Sequence, residues 1–311
     1  MGTGLDMTVV APTYQRADRM RRLVQALEAQ TYPVDRFEVV IVDNSSTDST
    51  AAELAALVAS SPLRLRALRT EVNRGPAAAR NLGWRAAQAP LVACTDDDCL
   101  PDPGWVEALV RAFGRNDRLG VLQGRTRAPD GPRELWTLAR EIGDETPWFE
   151  GCNLAFRREA LDATGGFDED LGWYGEDTSA GWKVVDAGWE RDFAPDAVVT
   201  HDLEVRTARW RIRQAWLERN LVELAGRHPG LRSTLWRRWA FRPESVSFPL
   251  AVAGLVGVLQ HPALVLLALP YLRTRRSVLR HPRDLATFVA IDATAVAGHL
   301  RGSVAGRVLV L

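Results

Sequence analysis

Asp96, Asp97 and Asp98 stand side by side where the apolar run of "VACTDDDCLP" ends, and three adjacent carboxylates demand a counter-charge. Two such charges about 5 Å apart repel by roughly 3 kcal/mol at an effective dielectric near 20. A solvated acidic turn relieves that with water alone. A calcium loop fits poorly: Asp96 and Asp98 match its first and third positions and Glu107 its twelfth, but Pro101 stands where the turn needs glycine and Leu100 precedes it. A phosphoryl-carrying aspartate wants a lysine partner, and Lys183, the only lysine in the chain, has no evident tie to the cluster. The chemistry that remains is a Mn2+ or Mg2+ ion shared between one or two carboxylates and a substrate's phosphates.

Two further stretches suit a phosphate-bearing ligand. Asp43 in "VIVDNSSTDS" ends an apolar run, where it either accepts hydrogen bonds from a nucleoside or caps the next helix. "NRGPAAARN" opens a helix at Gly75 and Pro76 and sets Arg74 and Arg80 within about two turns of its positive end, which favours an anion.

These residues need a scaffold, and residues 7 to 125 supply an alternation of β-rich runs and helix-period stretches that predicts βαβ units and a mostly parallel sheet. The predicted strands are "MTVVAP", "FEVVIVD", "LRLRALR", "PLVACTD" and "LGVLQG". Helices are predicted from Asp18 to Gln30, Asp48 to Ser60, Pro76 to Gln88 and Pro103 to Phe113. Ligands of such sheets bind beyond the carboxyl ends of the strands, where Thr13, Asp43 and the three aspartates fall. Residues 126 to 205 are irregular and Gly- and Trp-rich, reading as a second half that completes a cleft and ends in the strand "AVVTHD". A basic helical region over 206 to 240 and an apolar helical segment over 241 to 311 follow.

Composition excludes other classes. Basic and acidic residues balance at 39 each, so no overall field draws nucleic acid to the chain. Neither a P-loop nor a G-x-G-x-x-G turn is present, and Cys94, Cys99 and Cys152 have neither zinc-site nor disulfide spacing. "MGTGLDMTVVAPTY" enters a strand directly, without the apolar stretch of an export signal.

Seven stretches in order, "VVAPTYQR", "VDNSSTD", "NRGPAAARNLG", "TDDDCLPDPGWVEAL", "GCNLAFRREALDATGGFDED", "GEDTSAGWKVVDAG" and "VVTHD", resemble the motifs of family 2 glycosyltransferases with the GT-A fold. The resemblance implies an α/β fold of Rossmann-like type and an inverting, metal-dependent transfer of a sugar from a nucleotide diphosphate donor. It implies nucleotide-sugar contacts at Pro12, Thr13, Tyr14, Arg16, Asp43, Arg74, Arg80, Asp96 and Asp97, with Asp96 and Asp98 as the D-x-D pair. By the same resemblance Asp98 and His201 ligate the metal and Asp177 is the catalytic base, its alternative role being the N-cap of a helix. Glu176 is the alternative base and is expected at the acceptor site with Trp148 and Trp173, the two tryptophans as its walls, because sugar faces stack on aromatic rings. Related processive synthases carry Q-x-x-R-W; "RTARW" has Arg206 at the glutamine position, which points to single additions.

Residues 245 to 272 contain no Asp, Glu, Lys or Arg. The stretch is long enough to span about 30 Å of hydrocarbon, yet "QHP" interrupts it and arginines flank both ends. A single crossing would strand one arginine cluster outside. A re-entrant or in-plane hairpin is therefore expected, with Trp236, Trp239 and Tyr271 at the interface; the alternative is a soluble helical pair. The combined expectation is a glycosyltransferase at the cytoplasmic face of the plasma membrane, peripheral or monotopic, acting on a glycan or lipid-linked acceptor. A sugar nucleotidyltransferase or a non-catalytic glycan-binding scaffold are the alternatives.

Overall fold

The structure, a computed structural model, describes residues 4–276 and 284–310. The chain divides into two compact units, Met1–Glu204 and Val205–Leu311. Residues 277–283 and Leu311 of the expected apolar segment lie outside the described residues.

In the first unit the apolar runs become β1 (Met7–Thr13), β2 (Phe37–Asp43), β3 (Arg64–Arg69) and β4 (Leu91–Thr95). Between them lie α1 (Ala17–Glu28), α2 (Thr50–Ser60) and α3 (Pro76–Arg85). The four strands pair in parallel in the order β3-β2-β1-β4. β2 and β4 are buried at every residue, which is why they read as continuous apolar runs. β3 buries only Leu65 fully and exposes Arg64, Ala67 and Arg69, because it is the edge strand. Gly83 lets α3 lie flat on the sheet, since a Cβ there would sit 2.3 Å from Val10 Cγ1.

The remaining elements are β5 (Cys99–Pro101), α4 (Trp105–Phe113), β6 (Leu119–Arg127), β7 (Thr137–Leu138), β8 (Asn153–Arg157), α5 (Arg158–Thr164), α6 (Glu176–Asp186) and β9 (Glu190–His201). The sheet continues β4-β8-β6-β9-β5. The sequence reading sets "PLVACTD" and "LGVLQG" as successive strands of one parallel sheet, but β8 slots between them, antiparallel to both. "NLAFR" is short and sits among Gly and Trp, so its strand character shows only through burial of Leu154, Ala155 and Phe156. Asn153, fully buried, holds the join together. The pairing of β6 with β9 slips at Gly124/Arg125, and Asn153 Nδ2 donates to the carbonyls of Arg125 (2.8 Å) and Ala197 (2.9 Å) beside that irregularity.

The second unit is helical: α7 (Ala208–Arg227), α8 (Pro229–Thr234), α9 (Pro243–Gly257), a 3-10 segment Pro262–Ala268, α10 (Leu269–Thr274) and α11 (Leu285–Ala305). Thr207 caps α7 by accepting from Trp210 N at 3.2 Å. α11 lies directly on the backbone of α7 through Gly298, Gly302 and Gly306; a Cβ on Gly302 would meet the Arg219 carbonyl at 2.4 Å. Tyr271, expected at an interface, is buried instead, its hydroxyl donating to Asp292 Oδ2 at 2.7 Å. The reason is Asp292 itself: buried on α11, it needs donors, and Tyr271 and Arg275 supply them. No helix among the described residues is long and apolar enough to cross a membrane.

Candidate active site

Thr13, Asp43 and Thr95 end β1, β2 and β4 on one side of the sheet, and the turn after Thr95 carries the three aspartates. The turn sends each carboxylate to a different partner. Asp96 Oδ1 accepts from Arg80 Nη2 at 2.8 Å. Asp97 Oδ2 accepts from the Thr13 hydroxyl at 2.8 Å. Asp98 Oδ2 lies 3.2 Å from Arg19 Nη1, and its Oδ1 lies 3.5 Å from His201 Nε2. Burial and the neighbouring Asp98 charge nevertheless push Asp97 up to about 7. Burial and Asp96 push Asp98 up as well. The repulsion legible in the sequence is thus relieved in part, and the remainder favours a further positive charge.

His201 reaches Asp98 because β5 pairs antiparallel with the end of β9, setting Cys99 opposite His201. The Nδ1 of His201 lies 2.8 Å from the Asp202 carbonyl, which only accepts, so Nδ1 carries hydrogen. In the neutral ring Nε2 then presents its lone pair toward Asp98, the orientation a metal-ligating histidine requires. The Sγ of Cys99 also lies within 4.8 Å of these atoms. Burial and Cys152 push that thiol up, and a soft sulfur is a poor match for Mn2+ or Mg2+, which take oxygen ligands. One carboxylate oxygen and one imidazole nitrogen at the strand ends fit Mn2+ or Mg2+ completed by ligand oxygens.

Arg80 sits at the centre. It is buried, its Nη1 donates to Glu176 at 2.9 Å, and its Nη2 holds Asp96. Burial opposes its charge, and Asp96 and Glu176 more than offset that. A Cβ on Gly151 would lie 2.8 Å from Arg80 Nη2, so any other residue here would push the guanidinium off Asp96 and Glu176. Asp177, next to Glu176 at the start of α6, accepts from the backbone N–H of Gly151 and of Thr178, both at 2.8 Å. Burial, then the Glu176 charge, push Asp177 up to about 7. The N-cap of α6 is Gly175, not Asp177, because φ there is +95°. Asp43 is not a helix cap either: its Oδ1 accepts from Ser46 N at 2.8 Å, its Oδ2 is bound by Arg69, and the N-cap position of α2 is held by Ser49.

Arg74 pairs with Glu169 at 2.6 Å, so it and Arg80 are both engaged in ion pairs rather than free at the N-terminus of α3. Gly75 opens that helix at φ +89°, its N–H bonded to Asn73 Oδ1 and its carbonyl to Asn44 Nδ2. Pro12 is half-buried, Tyr14 is exposed, and Arg16 lies 3.4 Å from Glu204. Trp173 is 55% exposed beside Gly75, and half-buried Trp148 gives its carbonyl to the Thr178 hydroxyl. Lys183, the lone lysine, is structural, tying α6 to Gly166 O and Asp168 Oδ1 at 2.8 Å each. Sequence reasoning missed Arg19, Arg69 and Arg140, the last within electrostatic reach of Cys152, Asp96, Asp177 and Glu150. In a chain so rich in arginine, residue type carries no signal for these three.

The profile described as glycosyl transferase family 2 matches residues 8–167, and that of glycosyl transferase family group 2 matches residues 91–279. A Pre-mycofactocin glycosyltransferase of Mycobacterium tuberculosis is 28% identical over 241 residues, covering 72% of this chain and 48% of the relative. The chain thus spans about half the length of that relative. An N-acetylglucosaminyl-diphospho-decaprenol L-rhamnosyltransferase of Mycobacterium tuberculosis is 31% identical over 284 residues, covering 76% of this chain and 89% of the relative. Among solved structures, the mannosyltransferase PcManGT of Pyrobaculum calidifontis, in complex with GDP-Man and Mn2+, superposes with a TM-score of 0.62 at 24% identity, covering 95% of this chain and 86% of that one. The fold is therefore GT-A like, and with two family profiles each matching more than half its length, the chain belongs to glycosyl transferase family 2.

Proposed function

We propose that the protein transfers one sugar at a time from a nucleoside diphosphate donor to a hydroxyl of a lipid-linked or envelope-glycan acceptor, with inversion and with a divalent metal on the diphosphate. The observation that carries this reading is Arg80, which clamps Asp96 on the donor side and Glu176 beside Asp177. One buried guanidinium thereby fixes a donor-side carboxylate relative to a carboxylate poised to take a proton.

In the step we propose, the acceptor oxygen forms a bond to the anomeric carbon as the bond from that carbon to the diphosphate oxygen breaks. The bonding pair leaves with the diphosphate, and the hydroxyl proton goes to Asp177. A base that titrates at about 7 matches a neutral working pH, and positioned proton transfer contributes roughly 10² to 10⁴-fold. Asp98 and His201 would hold the metal, which supplies Lewis-acid stabilisation of the departing diphosphate. Thr13, Asp43 and the exposed faces of Tyr14 and Trp173 are assigned to donor and acceptor contacts.

The acceptor class is supported by the rhamnosyltransferase relative, whose name specifies a diphospho-decaprenol acceptor. Single addition is supported by Arg206 at the glutamine position of Q-x-x-R-W. The reading sets the reaction at the cytoplasmic face of the plasma membrane, with the chain peripheral or monotopic. The test is nucleoside diphosphate release from a panel of UDP-, GDP- and dTDP-sugars with a membrane lipid extract, with Mn2+ or with EDTA. Metal-dependent turnover of one donor, giving a product of inverted anomeric configuration, is expected; turnover that is unchanged in EDTA or retains configuration overturns the reading.

A further inference from the structure

We infer that the hairpin made by α9 and the returning 3-10 segment and α10 is a shallow anchor that seats the C-terminal unit on a bilayer carrying anionic lipid. This gives the proposed acceptor chemistry a surface to work on, but the observations behind it lie outside the cleft and stand without it.

The hairpin leaves its apolar side chains in the open. On α9, Leu250, Val252, Ala253, Leu255 and Val256 are exposed, and at 3.6 residues per turn they cover an arc of roughly 220°. A surface helix ordinarily turns an apolar stripe of about 100° or somewhat more toward protein, and one that is apolar nearly all round is enclosed by a large core or a membrane. The returning leg also exposes Val265, Leu266, Leu267, Leu269 and Leu272, and at the tip Leu259 is 89% exposed. Gly254 packs the two legs together, since a Cβ there would meet the Leu264 carbonyl at 2.5 Å. The hairpin is therefore a formed unit with apolar surface on both legs. A surrounding apolar medium satisfies it better than a one-sided partner.

Its base has the opposite character. Arg275 lies 3.9 Å from Glu244 and donates to Asp292 at 2.9 Å, so the start of α9 and the end of α10 meet at one end of the hairpin. The arginine clusters before and after the uncharged stretch therefore flank the same end, away from Leu259. Immediately before α9, Arg237 and Arg238 adopt left-handed backbone at φ 53° and 64°, and this turn displays Trp236, Arg237, Arg238 and Trp239 to solvent. Arg273 and Arg276 are exposed at the end of α10 and just after it. Tryptophan and arginine flanking an apolar tip suit the headgroup level of an anionic leaflet. α9 is 15 residues long, about 22 Å of helix, short of the roughly 30 Å hydrocarbon core. The tip enters one leaflet and returns.

The experiment is flotation of the full chain with vesicles of phosphatidylcholine alone or mixed with phosphatidylglycerol, at near-physiological salt and without sugar donor. The protein is expected to float with the mixed vesicles. A Leu255→Gln/Val256→Gln/Leu259→Gln variant should lose at least about tenfold of its bound fraction, with its thermal melt unchanged. An Arg237→Gln/Arg238→Gln variant should lose the preference for phosphatidylglycerol. Folded protein that stays with the aqueous fraction for both vesicle types overturns the inference, as does a triple variant that floats like the original. A discrete dimer that does not float and that Leu259→Gln dissolves would assign the hairpin to a second copy instead. Because no transfer is measured, each of these failures removes the membrane placement but leaves the sugar-transfer chemistry proposed for the cleft untouched.

Discussion

The cleft of the first unit and the hairpin of the second depart from ordinary burial in opposite directions. In the cleft, Asp97, Asp98 and Asp177 are taken out of water and titrate above their ordinary range, although Asp97 and Asp177 have hydrogen-bond donors and Asp98 has Arg19 as an ion-pair partner. In the hairpin, leucines and valines that would ordinarily fill a core stand in solvent. Folding alone rewards neither arrangement: a buried carboxylate costs desolvation, and an exposed leucine forgoes it. Places where local rules fail in a well-packed chain are where function is sought. The cleft wants a cation and a proton donor, and the hairpin wants an apolar medium.

The comparison breaks most sharply at Asp177. Asp177→Asn should lower turnover roughly 10² to 10⁴-fold while nucleotide binding persists, as read by transfer and titration on the same preparation. Folding raises the pKa of Asp177, so its contribution to stability falls as pH rises from the ordinary carboxylate value toward about 7. Asparagine removes that pH dependence, and a melt at about pH 8, above that titration, should find the variant at least as stable as the parent. A large loss of stability there would mean Asp177 is structural.

Next in size, Arg80→Met should destabilise the fold by about 3–5 kcal/mol, because Asp96 and Glu176 lose the guanidinium that compensates them. Denaturant titration measures this, and a change below about 1 kcal/mol would remove Arg80 from the centre of the site. Gly302→Val should cost about 1–3 kcal/mol by forcing α11 off the Arg219 carbonyl. It should leave nucleotide binding intact, since Gly302 belongs to the other unit. The finest test is a pH profile. The rate under limiting substrate should rise with pH through about 7 as Asp177 ionises, and Glu176→Gln should move that midpoint down, because one negative neighbour is gone. A midpoint that stays put or rises would assign the titration to another group.

The parts of this molecule legible in the sequence are those fixed by short-range pattern. "FEVVIVD" is β2 residue for residue, because a strand buried on both faces needs an unbroken apolar run. α3 begins at Pro76 as expected, because Gly75 and Pro76 set its first turn. What is not legible depends on pairing across long separations. β8 is invisible as a strand until it is seen between β4 and β6, and His201 meets Asp98 only because β5 pairs with β9. The aspartate cluster is legible as a charge problem. That Thr13, Arg19 and Arg80 each take one carboxylate is not, because partner choice is set by the direction of a three-residue turn.

The most direct measurement is calorimetric titration of the full chain with UDP, GDP and dTDP, with and without Mn2+, beside Asp98→Asn and Asp177→Asn. The account predicts that one nucleotide binds only with Mn2+, that Asp98→Asn abolishes the binding and that Asp177→Asn preserves it. Folded protein that binds none of the three, or that binds one equally well without metal and in the Asp98→Asn variant, would contradict it.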